Sequence, residues 1–388
     1  MTHRPYLDYY SRINDIPVHQ DTSDFAAHVR RRSALYRSLH LPKLAFQSSR
    51  ILEIGPGTGD NATATLTFGP AEYVLLDGNP SSVQALLSKI DVGQLDRDIC
   101  TVLEGDFLGA PSQRLRGRTF DIVLAEGCIP YQRDPAAAVR HVLQYVKPGG
   151  VLVITTTDQI SMLSEICRRY YKPAIMRLAN DDFDAALELC AAIFTPQLAC
   201  LPAASRPVED WSLDNILHPW GTSWALSVSD AISASPDLQF LGASPNFVTD
   251  WRWYKSFADG SNDWSAPAIS AWATVSPYTL DWREPYTGPL SPAIAHEIDG
   301  LASTAAEMIE EDWNADSFVH AQDILQTLND LSEVLRTHDV MQGVQSGIRA
   351  FGEVVRGLLS DDPFVRIPEF DAWWGRGMQY VSLTRRET

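Results

Sequence analysis

The chain of 388 residues has no uninterrupted apolar run of about 18 residues, the length needed to cross a bilayer. No basic stretch followed by an apolar segment and a small-residue cleavage site opens it, so no secretory leader is expected. Cysteine is scarce: Cys100, Cys128, Cys167, Cys190 and Cys200 are odd in number and form no C-x-x-C pair. That excludes a disulfide framework and, with the missing leader, points to a reducing cytoplasm. The nine histidines are scattered, with none at ligand spacing from a cysteine or another histidine, so no metal is expected. Positive charge is also short. Against 49 acidic side chains stand 31 basic ones, and the formal charge of -18 repels phosphate backbones and anionic lipid. Neither nucleic acid nor a membrane surface is an expected partner. The one dense basic cluster, "HVRRRSALYR" at residues 28–37, reads as the solvated face of an amphipathic helix.

What is present is ordinary in bulk, with 45% hydrophobic and 21% charged residues and enough length for one large or two modest domains. Residues 1–48 carry amphipathic spacing around Phe25, Val29, Leu35 and Leu39 and predict one or two helices before the core. From residue 50 the texture alternates. The short apolar runs "RILEIG" (50–55), "AEYVLLDGNP" (71–80), "CTVLEGDF" (100–107), "FDIVLAEG" (120–127) and "GVLVITTTD" (150–158) predict strands. Helical segments fit between them at 61–68, 80–90 and 135–146. Near-continuous apolar strands separated by helices argue for a parallel sheet covered on both faces. After residue 158 the alternation stops. Residues 160–195 look helical, 201–290 are rich in Pro, Ser and Trp, and 291–360 read as two or three amphipathic helices. "TDWRWYKSF" (249–257) reads as a strand whose Trp251, Trp253 and Tyr254 belong to a core.

The first strand breaks into "GPGTG", with Gly55, Gly57 and Gly59 on alternate positions. Glycine weakens regular structure by roughly 0.5–1 kcal/mol, so three together imply a demanding turn or a ligand against the main chain. At the first strand-to-helix turn of a parallel sheet, ligands approach most closely. A dinucleotide turn would carry its third glycine where this chain has Asp60, which disfavours a nicotinamide oxidoreductase. Glu53, still on the strand, is poor company for a pyrophosphate but suits a cationic ligand.

Glu53, Gly55, Gly57 and Gly59 together resemble the first motif, E/D-x-G-x-G-x-G, of the class I S-adenosylmethionine-dependent methyltransferases. The resemblance continues in order over residues 48–158. It implies that Asp77 meets the ribose hydroxyls, that Asp106 and Phe107 meet the adenine, and that Glu126 and Gly127 form a lip of the cleft. The implied fold is α/β, a Rossmann-like sheet with an antiparallel last strand, N-terminal helices and a C-terminal helical insertion. The chain would then divide into an N-terminal lid (1–48), the cofactor core (49–158), a substrate-side region with a late core strand (159–290), a helical cap or interface (291–360) and a returning strand (361–388). The last two sheet strands are expected at 246–257 and 377–385.

In this family the N-terminal segment commonly folds over the methionine end, so Tyr10 is a candidate cofactor contact, with Tyr9 beside it. Glu126, His218 in "ILHPWGTSW" (216–224) and His19 are the candidate catalytic residues, any of which could take a proton from the acceptor. Cys128, beside the cleft, reads as packing. The expected activity is methyl transfer from S-adenosylmethionine to oxygen or nitrogen of a small polar metabolite or sugar in a biosynthetic pathway. A protein or nucleic-acid methyltransferase and a non-catalytic S-adenosylmethionine-binding protein are the alternatives; the charge and the "EGCIPY" stretch (126–131) weigh against a nucleic-acid substrate. In the helical block, Ile294, Ile298, Leu301, Ala305 and Ile309, then Ile324, Leu328, Leu331 and Leu335, form buried stripes. Their cover is expected to be the core, giving a cap, or a second copy of the chain, giving a homodimer.

Overall fold

A computed structural model describes residues 9, 10, 13, 16, 18–109, 114–204, 206–218, 225–253, 255–256 and 263–387. The chain divides into two compact units, Met1–Thr156 with Trp224–Trp272 and Gln379–Thr388, and Thr157–Ser223 with Ala273–Met378.

The first unit is built on one seven-stranded sheet, in the order β3-β2-β1-β4-β5-β7-β6. Its strands are β1 Arg50–Ile54, β2 Glu72–Asp77, β3 Cys100–Glu104, β4 Phe120–Ala125, β5 Val146–Thr156, β6 Leu238–Ser244 and β7 Gln379–Arg385. β1 pairs in parallel with β2 and β4, and β7 runs antiparallel to both β5 and β6. The strand order therefore reverses between β1 and β4, which opens a crevice at their carboxyl ends. Helices α1 (Phe25–Ser38), α2 (Asp60–Leu66), α3 (Pro80–Asp91) and α4 (Pro135–Val142) belong to this unit. Asp24, Asn79 and Asp134 cap α1, α3 and α4 by accepting a backbone N–H, and Pro80 and Pro135 start the last two. Ile51, Leu75, Leu124 and Val153 from four strands pack with Tyr36, Leu39, Phe46 and Phe68 in one core.

The five sequence-predicted parallel strands and the strand at 377–385 appear, but the sixth lies earlier than expected. It is Leu238–Ser244, not 246–257. Pro245, which has no N–H for a ladder, follows it directly. The Asp250 carboxylate then accepts from the Arg252 N–H at 2.8 Å, a local turn that competes with strand pairing. Trp251 and Trp253 are 92% and 61% exposed, so they belong to no core, and Tyr254 lies outside the described residues. The "KPGG" turn is a bulge within β5, where the register with β4 jumps from Phe120↔Val146 to Ile122↔Val151.

The second unit is helical among its described residues. It contains α5 (Leu163–Arg169), α6 (Val208–Asn215), α7 (Pro292–Asn314), α8 (Ala321–Thr337) and α9 (Gln342–Leu359), with further helices at Lys172–Leu178 and Phe183–Leu198. Ile324, Leu328, Leu331 and Leu335 of α8 are fully buried, as expected. On α7 the stripe is rotated: Ala295, Ile298, Ala302, Ala305, Ala306 and Ile309 are buried, and Ile294 and Leu301 only half so. Alanines let α7 approach its neighbours closely. It packs on α5 and α8, and α8 on α9, so these stripes are covered within the chain. No helix among the described residues is long and apolar enough to cross a membrane.

Candidate functional site

The turn after β1 is left-handed at each of its glycines, with φ of +68° at Gly55, +56° at Gly57 and +77° at Gly59. A side chain there would be strained by its backbone alone. At Gly57 it would also meet Val18, whose Cγ2 lies 2.6 Å from an ideal Cβ position. The turn explains the three glycines that interrupt the sequence. It leaves a stretch of main chain bare at the crevice, crossed by the segment around Val18.

Asp77 ends β2 and holds this turn. Its carboxylate accepts from the Gly57 N–H at 3.0 Å and from the Asn79 N–H at 2.8 Å. Burial lifts its pKa to about 6, against the pull of those N–H groups. Asp106, half-buried after β3, accepts from the Leu108 N–H at 3.0 Å, and Phe107 beside it is 6% exposed. Asp77 and Asp106 thus stand at the carboxyl ends of neighbouring strands, on the edge where the turn lies. Asp60, in the position a third dinucleotide glycine would occupy, binds instead the Thr58 hydroxyl, the Lys89 ammonium and the Gln20 N–H. The last of these bonds ties residues 18–20 to the start of α2.

Two of the sequence-predicted catalytic residues are placed where they cannot serve as a free base. Both oxygens of Glu126 accept from Arg32 Nη2, at 2.8 and 2.6 Å, and one accepts from the Tyr36 hydroxyl at 2.9 Å. The side chains of Arg32 and Glu126 are each 7% exposed, so this carboxylate is committed to a buried ion pair. His218 is a residue of the second unit and only 1% exposed. Burial drives its pKa down to about 3, a poor match for a general base at neutral pH. Residues 219–224 of that aromatic stretch lie outside the described residues. His19 is exposed, next to Val18 on the segment over the turn. Tyr10 is half-buried, its ring edge-on to that of Tyr9 at 5.6 Å.

Glu53 on β1 is 5% exposed and accepts a hydrogen bond from the Tyr73 hydroxyl. Burial, and then the charge of Glu126, lift its pKa to about 7. Cys128 packs as expected. Its Cβ lies 3.1 Å from an ideal Cβ on Gly55, and burial raises its thiol pKa. Sequence reasoning missed Arg32, Tyr36 and Tyr73. The basic run is no solvated face at Arg32, which is 6% exposed. A signal existed in the i, i+4 spacing of His28, Arg32 and Tyr36, all three buried on one face of α1. No group of three or more potential metal ligands gathers among the described residues.

Residues 25–192 match a family profile described as a methyltransferase domain. Over these residues the chain is similar to a methyltransferase domain. Solved structures resemble it at low identity. An S-adenosylmethionine-dependent methyltransferase from Mesorhizobium loti shares 23% identity over 35% of this chain and 55% of its own, with a TM-score of 0.27. The N-methyltransferase NodS from Bradyrhizobium japonicum, solved with S-adenosyl-L-homocysteine, shares 18% over 39% of this chain and 74% of its own, TM-score 0.31. The [4+2]-cyclase SpnF shares 18% over 39% of this chain and 58% of its own, TM-score 0.31. No curated protein sequence matches the chain. The cofactor of such a methyltransferase domain is S-adenosylmethionine. The chemistry of its crevice suits that ligand: backbone at the glycine turn, carboxylates on neighbouring strand ends and a buried acid beside them.

Proposed function

We propose that the chain transfers the methyl group of S-adenosylmethionine to oxygen or nitrogen of a small polar metabolite or sugar. The observation that carries this reading is the left-handed glycine turn held by Asp77 at the crevice of a methyltransferase domain. Gly55, Gly57 and Gly59 would line the methionine end with bare backbone. Asp77 would accept from the ribose hydroxyls, and Asp106 and Phe107 would meet the adenine. Glu53 would face the positive end of the ligand, and the N-terminal segment that includes Tyr10 would cover it. The formal charge of -18 favours a small acceptor over nucleic acid.

Methyl transfer is an in-line displacement in which the acceptor's lone pair bonds carbon and the C–S pair returns to sulfur. The protein's work is alignment of the two, with proton removal where the acceptor needs it. With Glu126 in an ion pair and His218 buried, His19 is the sequence candidate left accessible. The residues of the cofactor set all belong to the first unit.

Calorimetry with S-adenosylhomocysteine tests the cofactor assignment. Charged hydrogen bonds of about 1.5–3 kcal/mol predict that Asp77→Ala weakens binding about ten- to hundredfold. Wild-type protein that binds NAD instead, or a mutant of unchanged affinity, would refute it. Metabolite fractions incubated with methyl-labelled cofactor then identify the acceptor.

A further inference from the structure

The methyltransferase reading uses Glu53 as one carboxylate beside the ligand, but the structure places it in a larger buried group. Glu53 pairs with Leu75 on β2 and Leu124 on β4. Tyr73 stands two residues before Leu75 and Glu126 two after Leu124, so strand alternation puts all three side chains on one face. From α1 that face receives Arg32 and Tyr36, whose guanidinium and hydroxyl both bind Glu126. The group has two carboxylates and one guanidinium, none of the three more than 7% exposed.

The other groups facing it add no positive charge. Asp77 ends β2, Cys100 opens β3 and Cys128 follows β4; burial holds both thiols above their ordinary range and therefore neutral. Tyr380 of β7 and the hydroxyl of Thr65 on α2 complete the surroundings of Arg32, Tyr36 and Tyr73. Burial lowers the pKa of His28 of α1, whose ring sits on the Asp60 carbonyl. With Glu53 ionised, the group of Glu53, Glu126 and Arg32 is one positive charge short, and Asp77 beside it adds negative charge above pH 6.

We propose that this cluster selects the cationic methyl donor over its neutral thioether product, the missing charge being supplied by the sulfonium. The inference rests on the methyltransferase reading. S-adenosylmethionine and S-adenosylhomocysteine differ by one methyl group and one unit of charge, so a ratio of their affinities isolates the response to that charge. In the free protein Glu53 titrates near pH 7, held there by burial and by Glu126. A positive charge close by favours the ionised form, so donor binding expels a proton. Donor affinity then rises as pH climbs toward 7 and levels off above it, while the neutral product shows no such gain. After methyl transfer the sulfur is neutral, Glu53 takes a proton back from solvent, and the product is held less firmly than the donor.

Calorimetry of the full chain with each ligand at pH 6, 7 and 8, in two buffers of different ionisation enthalpy, reads both affinity and proton count. The expected result is release of roughly half a proton at pH 7 with the donor and almost none with the product. The donor-to-product affinity ratio should rise about fivefold from pH 6 to pH 8, the effect over that window of one unit of pKa change. Glu53→Gln should flatten that ratio, which separates Glu53 from Asp77. A flat ratio in the wild type, with both ligands binding, overturns this inference and leaves the methyltransferase reading standing. A rising ratio that Glu53→Gln leaves intact also overturns it. Binding of neither ligand at any pH refutes the methyltransferase reading itself. The wild-type measurements decide the matter even if the variant fails to fold.

Discussion

Each unit buries an arginine, and the two are held in different ways. Arg32 in the sheet unit is paired with a carboxylate, and a second carboxyl, Glu53, acts on that pair. Arg168 in the helical unit is fully buried, and no acid lies within ion-pair distance of it among the described residues. Its Nε donates to the Gln197 side chain, its Nη1 to the Ser164 and Trp373 carbonyls, and its Nη2 to the Phe370 and Asp371 carbonyls. The guanidinium also lies over the Trp374 ring at 3.6 Å and the Phe370 ring at 4.6 Å. Burial lowers its pKa only to about 10, so it stays charged at neutral pH. Carbonyls do not titrate, but the buried carboxyl of Glu165, its pKa raised to about 6, acts on the guanidinium by its charge. The surroundings of Arg32 change charge near neutrality. One arginine is a staple, and the other belongs to a site.

Removing the staple should have the largest effect. Arg168→Met leaves four backbone carbonyls without its guanidinium and should cost about 5 kcal/mol at pH 8, and less at pH 6, where Glu165 is partly protonated. Urea melts at the two pH values check this, and an equal loss at both would show that Glu165 does not act on Arg168. Arg32→Met should cost about 3–5 kcal/mol at pH 8, because Glu126 is then buried without a charged partner. The loss should shrink at pH 6, where Glu53 carries a proton, and adding Glu126→Leu should restore most of it. Equal stability of the single and double variants would show that the ion pair is not what Arg32 maintains.

Glu53 has a folded pKa raised from 4.5 to about 7, so the native state holds a proton that the unfolded chain has released. Its contribution is fully present below pH 4.5 and is lost as pH rises through 7. Glu53→Gln should therefore stabilise the protein by about 2–4 kcal/mol at pH 8, and by less than about 1 kcal/mol at pH 5. A pH-independent difference would contradict the assigned titration. The smallest effect should come from His218, which slopes the opposite way. Its folded pKa is lowered from 6.5 to about 3, so its contribution is present above 6.5 and lost as pH falls. Between pH 7.5 and pH 5.5 it should account for about 1 kcal/mol of lost stability, which His218→Gln should remove. An unchanged acid limb in that variant would mean that the imidazole is protonated in place.

How legible these features were depends on how far each residue's physics reaches along the chain. The parallel strands were readable because strands buried on both faces must be apolar almost without interruption, as in β1, β2 and β4. β6 was not, since "LQFLGAS" is bulged and broken by Gly242, which packs against the Leu39 backbone. The tryptophan-rich run just after it looked more like a strand, until Pro245 and Asp250 turned it into exposed chain.

By itself the sequence determined the alternation of strands and helices, the glycine turn and the acids at the strand ends. These follow from local rules: which residues fill a doubly covered strand, and which one tolerates a left-handed backbone. Tertiary structure alone decided what those acids do. Arg32 meets Glu126 across 94 positions of sequence, and Tyr73 meets Glu53 across 20. A carboxyl becomes a base, a buried ion or a proton store according to its neighbours and its access to water, and folding supplies both.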